Sequence, residues 1–223
     1  MSREYGITVA IRILVVLTAL PLHECAHGFI AYKLGDPTAK NMGRLTLNPF
    51  KHFDLFGTMM LLLTGFGFAK PVPINPAYFK NRKSGMALSA LAGPMSNLLF
   101  AFVLLLVGKG ALYFIPMNET AFMVVRMIVS VMITTNIGLA IFNMIPIPPL
   151  DGSKVLAFFL SDRTNYRLMA WEGRYQMFLI FGLFILLSTG VLSRPLNLLA
   201  DLVYNGLDFL TGFMDLLARV IAT

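Results

Sequence analysis

Five apolar runs of spanning or near-spanning length divide this chain, and they restrict its fold more than any other feature. The first covers residues 6 to 22 with one interruption, Arg12, and continues as GFIAYKLG to Gly35. The others occupy 85 to 107, 121 to 142, about 175 to 192 and 196 to 221. A helix needs about 20 apolar residues to cross the hydrocarbon core, so the length leaves room for about five or six spans and no sizeable soluble domain. Composition agrees, with 57% hydrophobic and 13% charged side chains against about 45–50% and 25% in soluble domains. Disorder and collagen are excluded by that content, and a disulfide-stapled scaffold by the single cysteine, Cys25. The expected architecture is an all-α polytopic membrane domain over residues 1–223. Its core spans about 6–160, and accessory C-terminal helices span about 173–221.

The segments between and inside the runs carry the irregular structure. A secretory signal peptide competes for the N-terminus, since Arg3 precedes an apolar stretch. Arg12 interrupts that stretch and no soluble domain follows it. Residues 36 to 84 are polar, Pro-rich and basic, and enclose the short apolar piece LFGTMMLLLTGFGF at 55 to 68. About 14 residues are too few for a comfortable span and suit a re-entrant or interfacial segment. GFGFAKPVPINP has the Gly, Pro and β-branched residues of edge strands or a hairpin. Residues 66 to 76, with Gly67 and Phe68, are the candidate edge for holding an unwound substrate segment by strand addition. The third run breaks at Asn143-Met-Ile-Pro-Ile-Pro-Pro-Leu-Asp-Gly, where helix cannot continue, and resumes as SKVLAFFL. In the last run Asp201, Asp208 and Asp215 recur every seven residues, giving an acidic face that suits the interface.

A net charge of +7 suggests nucleic acid in a soluble chain, but here the basic residues sort by side. Residues 33 to 84 hold eight Lys/Arg and 161 to 174 hold three, while Arg3, Lys109 and Arg194 fall opposite. With Arg219 counted on the rich side, this is the positive-inside pattern. It places both basic loops in the cytoplasm and accounts for the charge without nucleic acid.

His23-Glu24-Cys25-Ala26-His27 is the strongest chemical signal. Residues i and i+4 share a helix face, so both imidazoles reach one metal ion and Glu24 projects beside it. Zinc is the usual occupant of such a pair. Ionisable groups inside an apolar helix are expensive enough to indicate function. A catalytic zinc site wants a third protein ligand and an open position. His52, in a basic loop expected to be open to water, is the weaker candidate. Asp151 follows the proline break, where a ligand role and a helix N-cap role weigh evenly on the residues alone. Cys25 reads as an apolar spacer, because i+2 points away from the ligand face.

Three motifs in order, HECAH, Gly93-Pro-Met-Ser-Asn97 and Asn143-Met-Ile-Pro-Ile-Pro-Pro-Leu-Asp151-Gly152, resemble the site-2 protease family of intramembrane zinc metalloproteases. NPFKHFDLFGT and AKPVPINP look like its short bacterial members, without PDZ or CBS domains. The resemblance implies zinc on His23, His27 and Asp151, with Glu24 as general base. It associates Asn143 with the site or substrate engagement and Asn97 with support of the core. It also implies peptide-bond hydrolysis in transmembrane substrates, with a multi-pass location in a cell membrane of the bacterial inner-membrane kind. His23 lies about 17 residues into its helix, roughly 25 Å, which puts the chemistry toward the cytoplasmic side. The expected partners are membrane-protein substrates and the lipid bilayer, with no nucleic acid. The rival reading is a metal transporter or metal-binding scaffold using the same His/Asp site. Glu24 opposes it, because a transport site would use that carboxylate as a ligand.

Overall fold

The computed structural model describes residues 3–64 and 69–222. These form α1 (Arg3–Leu17), α2 (Ala19–Lys33), α3 (Thr38–Asn41), α4 (Leu55–Thr64), α5 (Arg82–Phe114), α6 (Glu119–Asn143), α7 (Asp151–Phe159), α8 (Asp162–Ser188), α9 (Ser193–Leu210) and α10 (Gly212–Ala222). Among the described residues there is no strand. Gly67 and Phe68 lie outside them, and residues 69–75 of the expected hairpin are neither helix nor strand, with Asn75 extended.

The first apolar run is two helices rather than one, and Pro21 is the reason. It has no N–H for the Leu17 carbonyl and its ring crowds that oxygen, so the chain leaves helical geometry at Thr18 (φ −124°, ψ −65°). The Thr18 hydroxyl donates back to the Leu14 carbonyl at 2.6 Å. α2 ends where the sequence places a stop. Gly35 takes φ +110°, its N–H bonds the Tyr32 carbonyl, and the Asp36 N–H bonds that of Ala31, which closes the last turn in a Schellman motif. Asp36, fully buried, then accepts from the N–H groups of Thr38 and Asn75 at 2.9 and 2.6 Å. The loop after α2 is thereby tied to the 69–75 segment.

Three described stretches are long and apolar enough to cross a membrane: Arg12–Lys33, Arg82–Phe114 and Glu119–Asn143. Between helices in lipid there is little hydrophobic drive, so close approach of small residues and polar contacts hold them. Ala19 and Ala101 are fully buried at such approaches. Ala101 packs with Leu105, Ile133 and Ile137 between α5 and α6, and Ala200, Val203 and Leu207 of α9 cover that cluster. Asn81 and Asn118 cap α5 and α6 by accepting from the Ser84 and Ala121 N–H groups.

The C-terminal runs depart from a simple reading. α8 kinks at Tyr175, and the 196–221 run breaks at Thr211, whose hydroxyl bonds the Asp208 carbonyl. The sevenfold aspartates do not form one acidic face. Asp201 is exposed, whereas Asp208 and Asp215 converge on Lys109 at 2.8 and 2.7 Å. That pairing also corrects the place of Arg219. It lies one turn beyond Asp215 and so shares the Lys109 end of α5, about 40 Å along the helix from Arg82, rather than the end with the basic loops.

Candidate metal centre

α2 lies between α5 and the 69–75 segment, while α7 returns along α5, and the polar side chains inside the spans meet where these elements cross. His23 and His27, one turn apart, are 6% and 7% exposed. The Nδ1 of His23 donates to Asn97 Oδ1 at 2.9 Å, and that of His27 donates to the Ser89 carbonyl at 2.7 Å. Asn97 is itself oriented, its amide donating to Asn136 Oδ1 at 3.3 Å, while the Asn136 amide donates to the Met132 carbonyl at 2.8 Å. With both ring hydrogens on Nδ1, both Nε2 lone pairs face one point.

Asp151 brings a carboxylate to the same point. Its Oδ2 is 3.2 Å from each Nε2, and the two Nε2 atoms are 3.0 Å apart. The N-cap of α7 is Leu150, and no side-chain cap bond forms there. Asp151 is therefore the first helical residue, turned inward, rather than the cap. Its other oxygen, Oδ1, lies 3.4 Å from Lys154 Nζ. Gly93 makes room for the rings, since a Cβ there would overlap both imidazoles.

This donor set fits a zinc ion. Ligand atoms 2.0–2.1 Å from a tetrahedral ion stand about 3.3 Å from one another, close to the separations here. Lone pairs and a carboxylate turned on one another in a buried site are costly without a cation between them. Among the described residues, His23, His27 and Asp151 are the one group of three that can hold a metal in this way.

Glu24 follows His23 on α2 and is close enough to act on the His27 ring through its charge. It is half-buried, and its Oε2 accepts from the Val72 N–H at 2.8 Å. Asn143 does not reach the ligands by hydrogen bonding; its amide donates to the Leu139 carbonyl one turn back, at 2.9 Å. His52 is elsewhere and, against expectation, sealed from water. It is 1% exposed, and its Nε2 donates to the Thr46 carbonyl at 2.8 Å. A cavity of about 530 Å³ lies between α5, α7 and α8. Ser153 and Lys154 line it, so it reaches the residues next to Asp151 rather than the ligands.

Rip2 of Mycolicibacterium smegmatis, provisionally named a zinc metalloprotease, is 30% identical over 209 residues, which is 90% of this chain and 75% of that protein. The chain belongs to peptidase family M50. The family's model, described as Peptidase family M50, matches residues 109–188, a stretch that includes Asp151. This is the site-2 protease family whose motifs the sequence resembles. YwhC of Bacillus subtilis, provisionally named a zinc metalloprotease as well, is 42% identical over 146 residues, covering 65% of this chain and 66% of YwhC. The zinc metalloprotease MJ0392 of Methanocaldococcus jannaschii is 25% identical over 203 residues, and the match spans 49% of its length. No solved structure matches the chain.

Sequence reasoning passed over four contributors. Asn136 carried a usable signal, a carboxamide inside an apolar span. Lys154, one turn after Asp151, carried another. The Ser89 carbonyl carried none, because every residue has one; the Val72 N–H is marked only by the prolines on either side of it, which have none.

Proposed function

We propose that this chain is an intramembrane zinc metalloprotease, hydrolysing peptide bonds within or near transmembrane segments of membrane-protein substrates, as in regulated intramembrane proteolysis. The observation that carries the reading is the convergence of His23 Nε2, His27 Nε2 and Asp151 Oδ2 within 3.2 Å of one another, the two histidines on a stretch apolar enough to cross a membrane, with Glu24 next in sequence to His23. Zinc bound there supplies Lewis acidity, acidifying a water and polarising a scissile carbonyl. Glu24 accepts the proton of the attacking water and passes it to the leaving amine. Asn97 and Ser89 hold the imidazoles by their Nδ1 hydrogens, so that the ligands need no rearrangement. Asn143 supports the site or engages substrate, and residues 66 to 76, with Gly67 and Phe68, receive the unwound chain.

In this reading one domain covers residues 1–223, with its core at about 6–160 and helices at about 173–221 as accessories. α8 and the α9–α10 pair bring the membrane segments to five or six. The basic loops and the site face the cytoplasm. Cysteines placed at Lys40 and Arg167 in a Cys25→Ala background then resist an impermeant thiol reagent in intact cells and react after lysis. Labelling of both in intact cells reverses the orientation.

The deciding experiment is Glu24→Gln. Gln keeps the shape and cannot take the proton, so zinc stays stoichiometric while cleavage of a single-span substrate falls at least about 10²-fold. Undiminished turnover would sink the mechanism, and loss of zinc would favour the transporter reading.

A further inference from the structure

Two neighbouring faces of α2 do different work. His23 and His27 face α5 and α7, and the face beside them, bearing Glu24 and Gly28 at i and i+4, carries the segment 69–75. Val72 sits at that contact. Its N–H donates to Glu24 Oε2 at 2.8 Å, and its side chain, 8% exposed, lies over Gly28, where a Cβ would stand 3.0 Å from Val72 Cγ1.

The sequence around Val72 makes this donor the sole choice at its place. Pro71 and Pro73 have no N–H, so the Pro71-Val72-Pro73 triplet presents one donor and a shift by one residue in either direction presents none. The segment is pinned on both sides of it. The Lys70 N–H bonds the His52 carbonyl at 2.8 Å, the Lys70 carbonyl accepts from Arg44 Nη2 at 2.6 Å, and the Asn75 N–H bonds Asp36 Oδ2 at 2.6 Å. These contacts fix where the Val72 N–H points.

We infer that the Val72 backbone N–H is a positioning group for Glu24, holding its Oε2 so that the other carboxylate oxygen is presented to the attacking water. The inference rests on the hydrolase reading above. A carboxylate on a three-torsion side chain samples many orientations when unheld, and displacement of a catalytic group by about 1 Å can cost about 10²-fold in rate. A charge-assisted hydrogen bond from a pinned backbone removes that freedom. The same residue explains two sequence features at once. The paired prolines isolate the donor, and glycine at 28 admits the side chain that carries it.

The test removes the N–H and little else. Val72→Pro deletes the donor in a segment that is neither helix nor strand, and replacement of Val72 by its α-hydroxy analogue turns the amide into an ester and leaves the side chain in place. In both, kcat for a single-span substrate falls about tenfold to a hundredfold, while KM and zinc content stay near the wild-type values. Val72→Ala, which keeps the donor and trims the packing on Gly28, restores most of the turnover lost in Val72→Pro. In valine-labelled protein in detergent, the Val72 amide resonance shifts when Glu24 is changed to Ala. Wild-type kcat in the zinc-loaded ester variant overturns the inference. So does a fall in Val72→Ala as deep as that in Val72→Pro, or an unmoved amide resonance. The resonance reads the contact whether or not peptides are cleaved. A shift without turnover in the wild type therefore removes the hydrolase reading, whereas turnover indifferent to the donor removes this one.

Discussion

Two places in this apolar chain gather charged groups, and they are built on opposite principles. At the crossing of α2, α5 and α7, three ligand residues at most 7% exposed turn their lone pairs inward, and every outer contact serves to aim them. At the far end of α5, Lys109 bonds Asp208 and Asp215, and Tyr113 donates to Asp215 at 2.6 Å. There the charges satisfy one another. The first arrangement is complete only with a cation, and the second is complete as it stands. Polar residues in a membrane chain thus separate into sites and clamps by asking whether their acceptors converge on an empty point or on a donor already present.

The comparison breaks first at Asp151. Asp151→Asn removes the charge that makes the convergent point attractive to a cation, so zinc occupancy falls below half and cleavage is lost, a drop of several orders of magnitude. His52→Ala sets the contrast. It removes a part-buried hydrogen bond to the Thr46 carbonyl, which costs about 1 kcal/mol of stability, while zinc remains stoichiometric. Metal analysis and thermal unfolding of the two purified variants read both effects. Full zinc in Asp151→Asn with zinc loss in His52→Ala would place the centre on the wrong loop.

Asn97 sharpens the comparison at a smaller scale. Among the described residues its side chain receives the His23 hydrogen and is held by Asn136. Outer contacts of this kind are worth about 10–100-fold in metal affinity. Asn97→Ala should therefore weaken zinc binding by that factor in a competition with a chelator, and Asn136→Ala by less, since it acts one bond further out. Equal zinc affinity in Asn97→Ala and wild type would show that packing alone orients the imidazole.

How much of this was legible before the fold depended on where the information sits. HECAH put two histidines on one face of α2 with Glu24 beside them, because i and i+4 on a helix is a local relation. The stop at Gly35 was readable for the same reason, as was the break after Asn143. Asp151 was undecided from the residues alone, since an Asp at a helix start has a local use as a cap; only its distance to α2 in three dimensions removes that use, and the resemblance supplied what spacing did not. His52 was misjudged because flanking charges suggested solvent, whereas loop 44–52 folds over the ring and takes it out of water. The C-terminal aspartates were misread for a related reason. A sevenfold repeat defines a face on a straight helix, and the turn at Thr211 brings Asp208 and Asp215 from two helices onto one lysine.

The smallest effect belongs to that lysine. Lys109 and the Tyr113 hydroxyl hold the Asp215 carboxylate from two sides. Lys109→Met removes this clamp and leaves two aspartates facing each other. The two aspartates are partly open to solvent, ion pairs at such a surface are worth about 1 kcal/mol or less, and the metal centre lies well along α5 from them. Unfolding in detergent at pH 7 should thus come a few degrees earlier in Lys109→Met, with zinc content and turnover unchanged. A change in zinc content with Lys109→Met would join the two charged regions that the structure keeps separate.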